Sequence, residues 1–347
     1  MKELSLARFH ASKKPTEITL QSVSYAWFET VSLIVMVLIL LADLLIVGRK
    51  VHVPSAKESG LWVSFYAALA VGFGLIINSM FGQKMATEFF AGWLTEYSLS
   101  IDNLFVFIII MSRFAVPRKL QQEVLMVGVV MALVLRGIFI VVGATLIEQF
   151  SWIFYIFGAF LLYTAYHQAF RTTEDEEESE GRLLGWLRSK LSVSKDFDGS
   201  KLRTVVNGKK MLTPMLLVFV SIAATDVMFA FDSIPAIFGI TQDPFIVFAA
   251  NLFALMGLRQ LYFLLGGLLD RLVYHKYGIA FILGFIGFKL VAHAMHVNEL
   301  PFINGGKHID WAPEIDTNFS LGVIVASIAV SAVASLVATR RAKKSSN

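Results

Sequence analysis

The stretch ATDVMFAFDSIPAIF, residues 224–238, decides the fold, because it lies in a long apolar run and yet carries Asp226, Asp232, Ser233 and Pro235. A carboxylate at the centre of a lipid-spanning helix costs roughly 2.5–3.5 kcal/mol on insertion scales, so the setting of this run has to be read from the rest of the chain. Of 347 residues, 56% are hydrophobic and only 16% charged, with mean hydropathy +0.67. A soluble chain of this length would have to hide more apolar surface than one or two cores hold. The composition is that of an all-α, polytopic membrane protein whose first partner is the lipid bilayer. The net charge of +4 then belongs to topology, and no nucleic-acid partner is expected. The absence of cysteine excludes disulfides, thiolate metal sites and thiol redox chemistry. The first 25 or so residues are polar, and the apolar run that follows is too long for a secretory leader.

Nine spans near the required ~20 residues are predicted at 28–48, 61–81, 87–112, 123–147, 152–170, 212–240, 245–268, 278–297 and 319–339. Lys and Arg placement orients them. Six fall on the side of the N-terminus and 21 on the other, including nine in the loop 171–211 and four at the C-terminus. The positive-inside rule puts the 21 in the cytoplasm, with the N-terminus outside, the C-terminus inside and the chain in the cytoplasmic (inner) membrane. The loop 171–211, which opens with TEDEEESE, is then a cytoplasmic, mostly solvated segment and the candidate docking place for a cytoplasmic partner. No segment outside the membrane is large enough for a catalytic domain, and no enzymatic activity is expected.

The opening stretch has a counterpart. EYSLSIDNLFVF, residues 96–107, repeats its pattern of an acid, five residues, an aspartate and a small polar residue: Glu96, Asp102 and Asn103 against Asp226, Asp232 and Ser233. Similarity continues in ALVLRGIFIVVG (132–143) against ALMGLRQLYFLLG (254–266), each with an arginine seven residues before a glycine. It ends with GAFLLYTAYH (158–167) against GFIGFKLVAH (284–293), each with Gly and His nine apart. A unit of three spans reverses direction, so its repeat is inverted, a plan common among secondary transporters. The expected organisation is an extracytoplasmic tail 1–27, two peripheral helices 28–81 and a first repeat 87–170. The loop 171–211, a second repeat 212–297, an extracytoplasmic loop 298–318 and a last helix with basic tail 319–347 follow.

Acids at equivalent depths point to cation coordination or proton relay. Asp102 and Asp232 are the expected central ligands, with Asn103 and Ser233 beside them and Glu96 and Asp226 as ligands or proton carriers. Arg136 and Arg259 are the candidate charge partners, one for each aspartate. Residues six apart lie about 120° from each other on a regular helix, so both acids of one motif face a single ligand only if the helix unwinds. Pro235, which removes a backbone hydrogen bond, is the expected place for that. Carboxylate, amide, hydroxyl and backbone oxygens suit Mg, Ca or Mn, and Met228 is one soft donor in reach. His167 and His293 stand near span ends, and no chemistry is assigned to the segment INGGKHIDWAPEIDTN.

EYSLSIDNLFVF, FAFDSIPAIF, TQDPFIVFAANLFALMGLRQLYFLL and LLYTAYH resemble the TerC family, in a branch that includes a manganese exporter, over about residues 28–340. The resemblance implies an integral membrane protein of the LysE-like transporter grouping, associated with manganese efflux, metal homeostasis and, by name, tellurium resistance. Its acidic motif falls on Glu96, Asp102, Asn103, Asp226, Asp232 and Ser233. A further glutamate of some members is Ala223 here. The expected function is export of a divalent cation, Mn2+ by the resemblance, as cargo and with no resident cofactor. The alternative is a non-transporting membrane component of a metal-stress or tellurium-resistance complex.

Overall fold

Apolar runs separated by glycine, proline and charge become helices because lipid leaves no other way to satisfy the backbone. The computed structural model of the chain describes residues 15–48, 55–170, 193–194, 196–206, 208–265 and 274–345. Ten α-helices, one short 3₁₀ turn and a single two-stranded sheet account for these residues. The helices are α1 (Pro15–Gly48), α2 (Ala56–Phe81), α3 (Gln83–Arg113), α4 (Arg118–Gln149) and α5 (Ile153–Phe170), then α6 (Pro214–Phe238), α7 (Pro244–Leu255), α8 (Leu258–Leu265), α9 (His275–His296) and α10 (Thr317–Ser345). Among the described residues, eight spans are long and apolar enough to cross a membrane, α7 and α8 together supplying one of them. The expected fifth span, α5, is not among those eight; it has 18 residues and carries Tyr163, Thr164, Tyr166, His167 and Gln168 in its second half.

α1 forms one unit by itself, and the helices from α2 onward form a second. The helix begins at Pro15, well before the predicted span at 28, because nothing between Pro15 and Gly48 interrupts it. Within the second unit the densest packing joins α5 to α9, α3 to α7 and α4 to α6. Glycine makes the first of these possible. A Cβ on Gly158 would stand 2.6 Å from Val291 Cγ2 and 2.9 Å from the Gly287 carbonyl oxygen, so α5 and α9 cross backbone to backbone, the small-residue contact by which helices associate in lipid.

Two expectations about regularity are corrected. α6 runs unbroken through Pro235 to Phe238, and Gly239 N–H still donates to the Pro235 carbonyl at 3.0 Å. The proline sits in the last turn, where it costs the helix only one bond. The break falls in the seventh span instead. α7 ends at Leu255, Met256 is extended (φ −63°, ψ 127°) and Gly257 takes φ +81° before α8 begins. That left-handed conformation favours glycine, and a Cβ at 257 would also meet Tyr66 Cδ2 at 3.0 Å.

The loop 171–211 is not all irregular. Arg203–Val206 pairs antiparallel with Lys209–Leu212 around Gly208, whose φ is +76°, a hairpin built on the β-branched run Thr204–Val205–Val206. Residues 171–192, with the acidic run, lie outside the described residues. The 298–318 segment is tied together at its start: the buried Asn298 donates to the Ile303 carbonyl at 2.7 Å and to the Lys307 carbonyl at 3.0 Å.

Candidate cation site

The two acidic motifs meet at Arg136, which α4 holds almost completely out of solvent at 1% exposure. Its Nη1 donates to Glu96 Oε2 of α3 at 2.5 Å and to Asn251 Oδ1 of α7 at 2.7 Å. Its Nε lies 3.8 Å from Asp226 Oδ1 of α6. With the Asn103 amide oriented to suit both neighbours, its Oδ1 accepts from Arg136 Nη2 at 2.9 Å and its nitrogen donates to the Leu99 carbonyl at 3.1 Å. Four helices therefore converge on one guanidinium, whose planar fork can engage several partners at once.

This geometry sorts each motif differently from expectation. Glu96 and Asn103 are seven residues apart, which brings them within about 20° of each other on a helix, and both are buried. Asp226 and Ser233 stand in the same relation and are both 2% exposed. Among the described side chains, the interior face is thus made by the first acid and the last small polar residue of each motif. Asp232 points elsewhere: it is half-buried and accepts a hydrogen bond from Thr164 of α5 at 3.1 Å. The backbone of Asp102 belongs to α3, and its side chain lies outside the described residues. Among the described side chains Arg136 pairs with Glu96 and Asp226; the expected pairing with an aspartate is not made with Asp232, which bonds Thr164. Arg259, at the matching place in the similar stretch 254–266, stands in α8 just past the break and is 5% exposed. Met228 is 60% exposed and takes no part in the interior face.

The cluster is incompletely hydrogen-bonded on both sides. Among the described residues, the acceptors Glu96 Oε1 and Asp226 Oδ2 and the donors Ser233 Oγ, Arg136 Nε and Asn251 Nδ2 are buried without a hydrogen bond, and Ser233 lies beside Glu96. Two buried carboxylates against one guanidinium leave a negative charge in a low-dielectric interior, which is costly unless a further cation or proton compensates it. Nearby, the last turn of α7 adds carbonyls with no helical partner, the negative end of a helix dipole. Among the described residues no three His, Asp or Glu side chains stand together as a closed metal site.

Sequence reasoning missed Asn251 and Thr164. An amide in the apolar run FIVFAANLFAL is itself a signal, since a polar group in lipid needs a partner; a threonine is not, because it can bond its own helix. Of the two histidines, His167 is exposed beside Tyr163. His293 stands 3.1 Å from Gln242 Nε2 and edge-on to Phe154. It helps line a cavity of about 610 Å³ between the ends of α6 and α9 and the starts of α3 and α10, together with Glu88, Asp243, Lys289 and Glu314.

The profile described as "Integral membrane protein TerC family" matches residues 81–343. An uncharacterised membrane protein of Mycobacterium tuberculosis (strain ATCC 25618 / H37Rv) is 45% identical over 315 residues, covering 90% of this chain and 79% of the relative. An uncharacterised membrane protein of Myxococcus xanthus is 36% identical over 319 residues, covering 92% and 94%. Alx of Escherichia coli (strain K12), described as a candidate membrane-bound redox modulator, is 41% identical over 271 residues, covering 74% and 83%. No solved structure matches the chain.

Proposed function

This chain belongs to the TerC family of integral membrane proteins, and from that premise we propose that it carries a divalent metal cation, Mn2+ in the first instance, out of the cytoplasm by alternating access between two inverted three-span units, α3–α5 and α6–α9. The observation that carries the reading is the meeting of Glu96 from one unit and Asp226 from the other at a buried point where each keeps one carboxylate oxygen without a hydrogen bond. Hard oxygen donors of this kind suit Mn, Mg or Ca. Ser233 adds a third oxygen, and Asp102 and Asp232 are the acids that would complete or relay the site.

Two further features support transport. The packing pairs exchange under a swap of the units: α3 lies on α7 as α6 lies on α4, and α5 and α9 lie on each other. The seventh span is discontinuous beside the cluster, and broken helices supply backbone oxygens and helix ends to transported ions. In this reading the 610 Å³ cavity is the extracytoplasmic mouth, on the orientation given by the Lys and Arg distribution. The description of the Escherichia coli relative concerns redox; in this chain, without cysteine, a redox effect would follow from the metal carried and not from its own thiols.

The test is Mn2+ flux into proteoliposomes with and without a pH gradient. Wild type is expected to move Mn2+, and Asp226→Asn and Asp232→Asn to lose at least most of that flux while inserting normally. Flux equal to empty liposomes for pure wild type would overturn transport and favour the alternative, a non-transporting membrane component.

A further inference from the structure

We propose that Arg136 is a tethered substitute for the transported cation, a positioning residue that holds Glu96 and Asp226 when the site is empty and must release them before a divalent cation can bind. The inference rests on the transport reading above and names the event that loads and empties that site.

The argument is one of charge and reach. Glu96 and Asp226 together carry two negative charges, and a divalent cation balances both by itself. A guanidinium left between them would then be a buried charge without a counter-ion, which is strongly disfavoured. Within this cluster the arginine and the ion therefore compete for the same carboxylates.

The contacts are unequal in a way that suits displacement. The hold on Glu96 is short, 2.5 Å, while Asp226 is reached only at 3.8 Å from Nε, a nitrogen that makes no hydrogen bond. The acid of the second unit is thus the loosely held one, and its buried Oδ2 makes no hydrogen bond that an arriving ion would have to break. Asn103 and Asn251 accept from Nη2 and Nη1 at 2.9 and 2.7 Å. Being neutral, they keep the guanidinium solvated by protein after the carboxylates are taken. Return of Arg136 to the acids then expels the ion, so the cation site cannot stay both empty and open.

An internal competitor lowers apparent affinity by the fraction of time it blocks the site. Removing its charge should tighten binding and slow release together, whereas loss of a merely structural residue weakens both binding and turnover. The experiment measures Mn2+ binding to the purified full chain by the electron paramagnetic resonance signal of the free ion, alongside Mn2+ flux in proteoliposomes, for wild type, Arg136→Gln and Arg136→Lys. Arg136→Gln is expected to bind Mn2+ roughly tenfold more tightly and to turn over at least roughly tenfold more slowly, with a lower KM. Arg136→Lys keeps a buried cation and serves where Arg136→Gln does not insert. Its ammonium has no fork with which to bridge both acids, so its Kd should fall below that of wild type, by less than that of the glutamine variant. Wild-type flux with unchanged or weaker Mn2+ binding in the variant that inserts overturns this proposal and leaves transport standing. Absence of both Mn2+ binding and flux in wild type overturns the two together.

Discussion

Arg136 and Arg259, at matching places in the similar sequence stretches 132–143 and 254–266, stand on different backbones. Arg136 projects from the middle of α4, which is helical from Arg118 to Gln149. Arg259 follows a break, with α7 ending at Leu255 and α8 starting at Leu258. Similar sequence has therefore produced one rigid support and one interrupted support. The rigid one fixes a guanidinium between acids of both units. The interrupted one leaves carbonyls of α7 unpaired next to Asn251, which itself bonds Arg136.

The largest effect that could break this comparison is at the rigid site. In metal-free protein, Arg136→Ala should cost about 3–5 kcal/mol, since it leaves two buried acids uncompensated, and added Mn2+ should restore stability more than it raises that of wild type. Thermal unfolding in detergent with and without Mn2+ reads both. A variant as stable as wild type without metal would mean that the acids are not held by Arg136. Next comes the interrupted support. Gly257→Ala should lose about 1–3 kcal/mol from left-handed strain together with its contact to Tyr66, and Tyr66→Ala in the same chain should recover only the contact part. A neutral Gly257→Ala would show that the break does not depend on the φ of that residue.

Smaller effects sharpen the contrast. Thr164→Val removes the 3.1 Å hydrogen bond to Asp232 and should cost about 1 kcal/mol, read by thermal unfolding in detergent. The glycine beside the other arginine should respond with opposite sign. Gly137 lies inside regular helix, and a Cβ there meets nothing closer than Phe248 Cε2 at 3.7 Å. Gly137→Ala should therefore stabilise α4 by about 0.5–1 kcal/mol. Destabilisation there would show that α4 is less regular than α7 is broken.

Much of the site was present in the sequence in a form that could be misread. The spacing of six between Glu96 and Asp102 drew attention to the two acids of a motif, but the spacing of seven, from Glu96 to Asn103 and from Asp226 to Ser233, is the one that lines up on a helix. Pro235 was a sound candidate for a break and proved to stand too near the end of α6 to make one, whereas Gly257 in ALMGLRQLYFLLG gave only the weak signal that any glycine in an apolar span gives. The hairpin at 203–212 was hidden in a loop because two four-residue strands barely exceed the noise of polar sequence.

The sequence by itself determined that the chain lives in a membrane, where its helices run and that each unit carries acids and an arginine inside lipid. Those are properties of single segments, fixed by the transfer free energy of their own residues. Only the tertiary structure decided that Arg136 takes Glu96 and Asp226, that Asn251 joins them, that Asp232 turns to Thr164 and that the seventh span breaks at Gly257. Partner choice depends on which helices become neighbours and on the angle at which each face arrives, and those are set by packing contacts between residues far apart in the chain, 115 positions for Arg136 and Asn251, that no local pattern encodes.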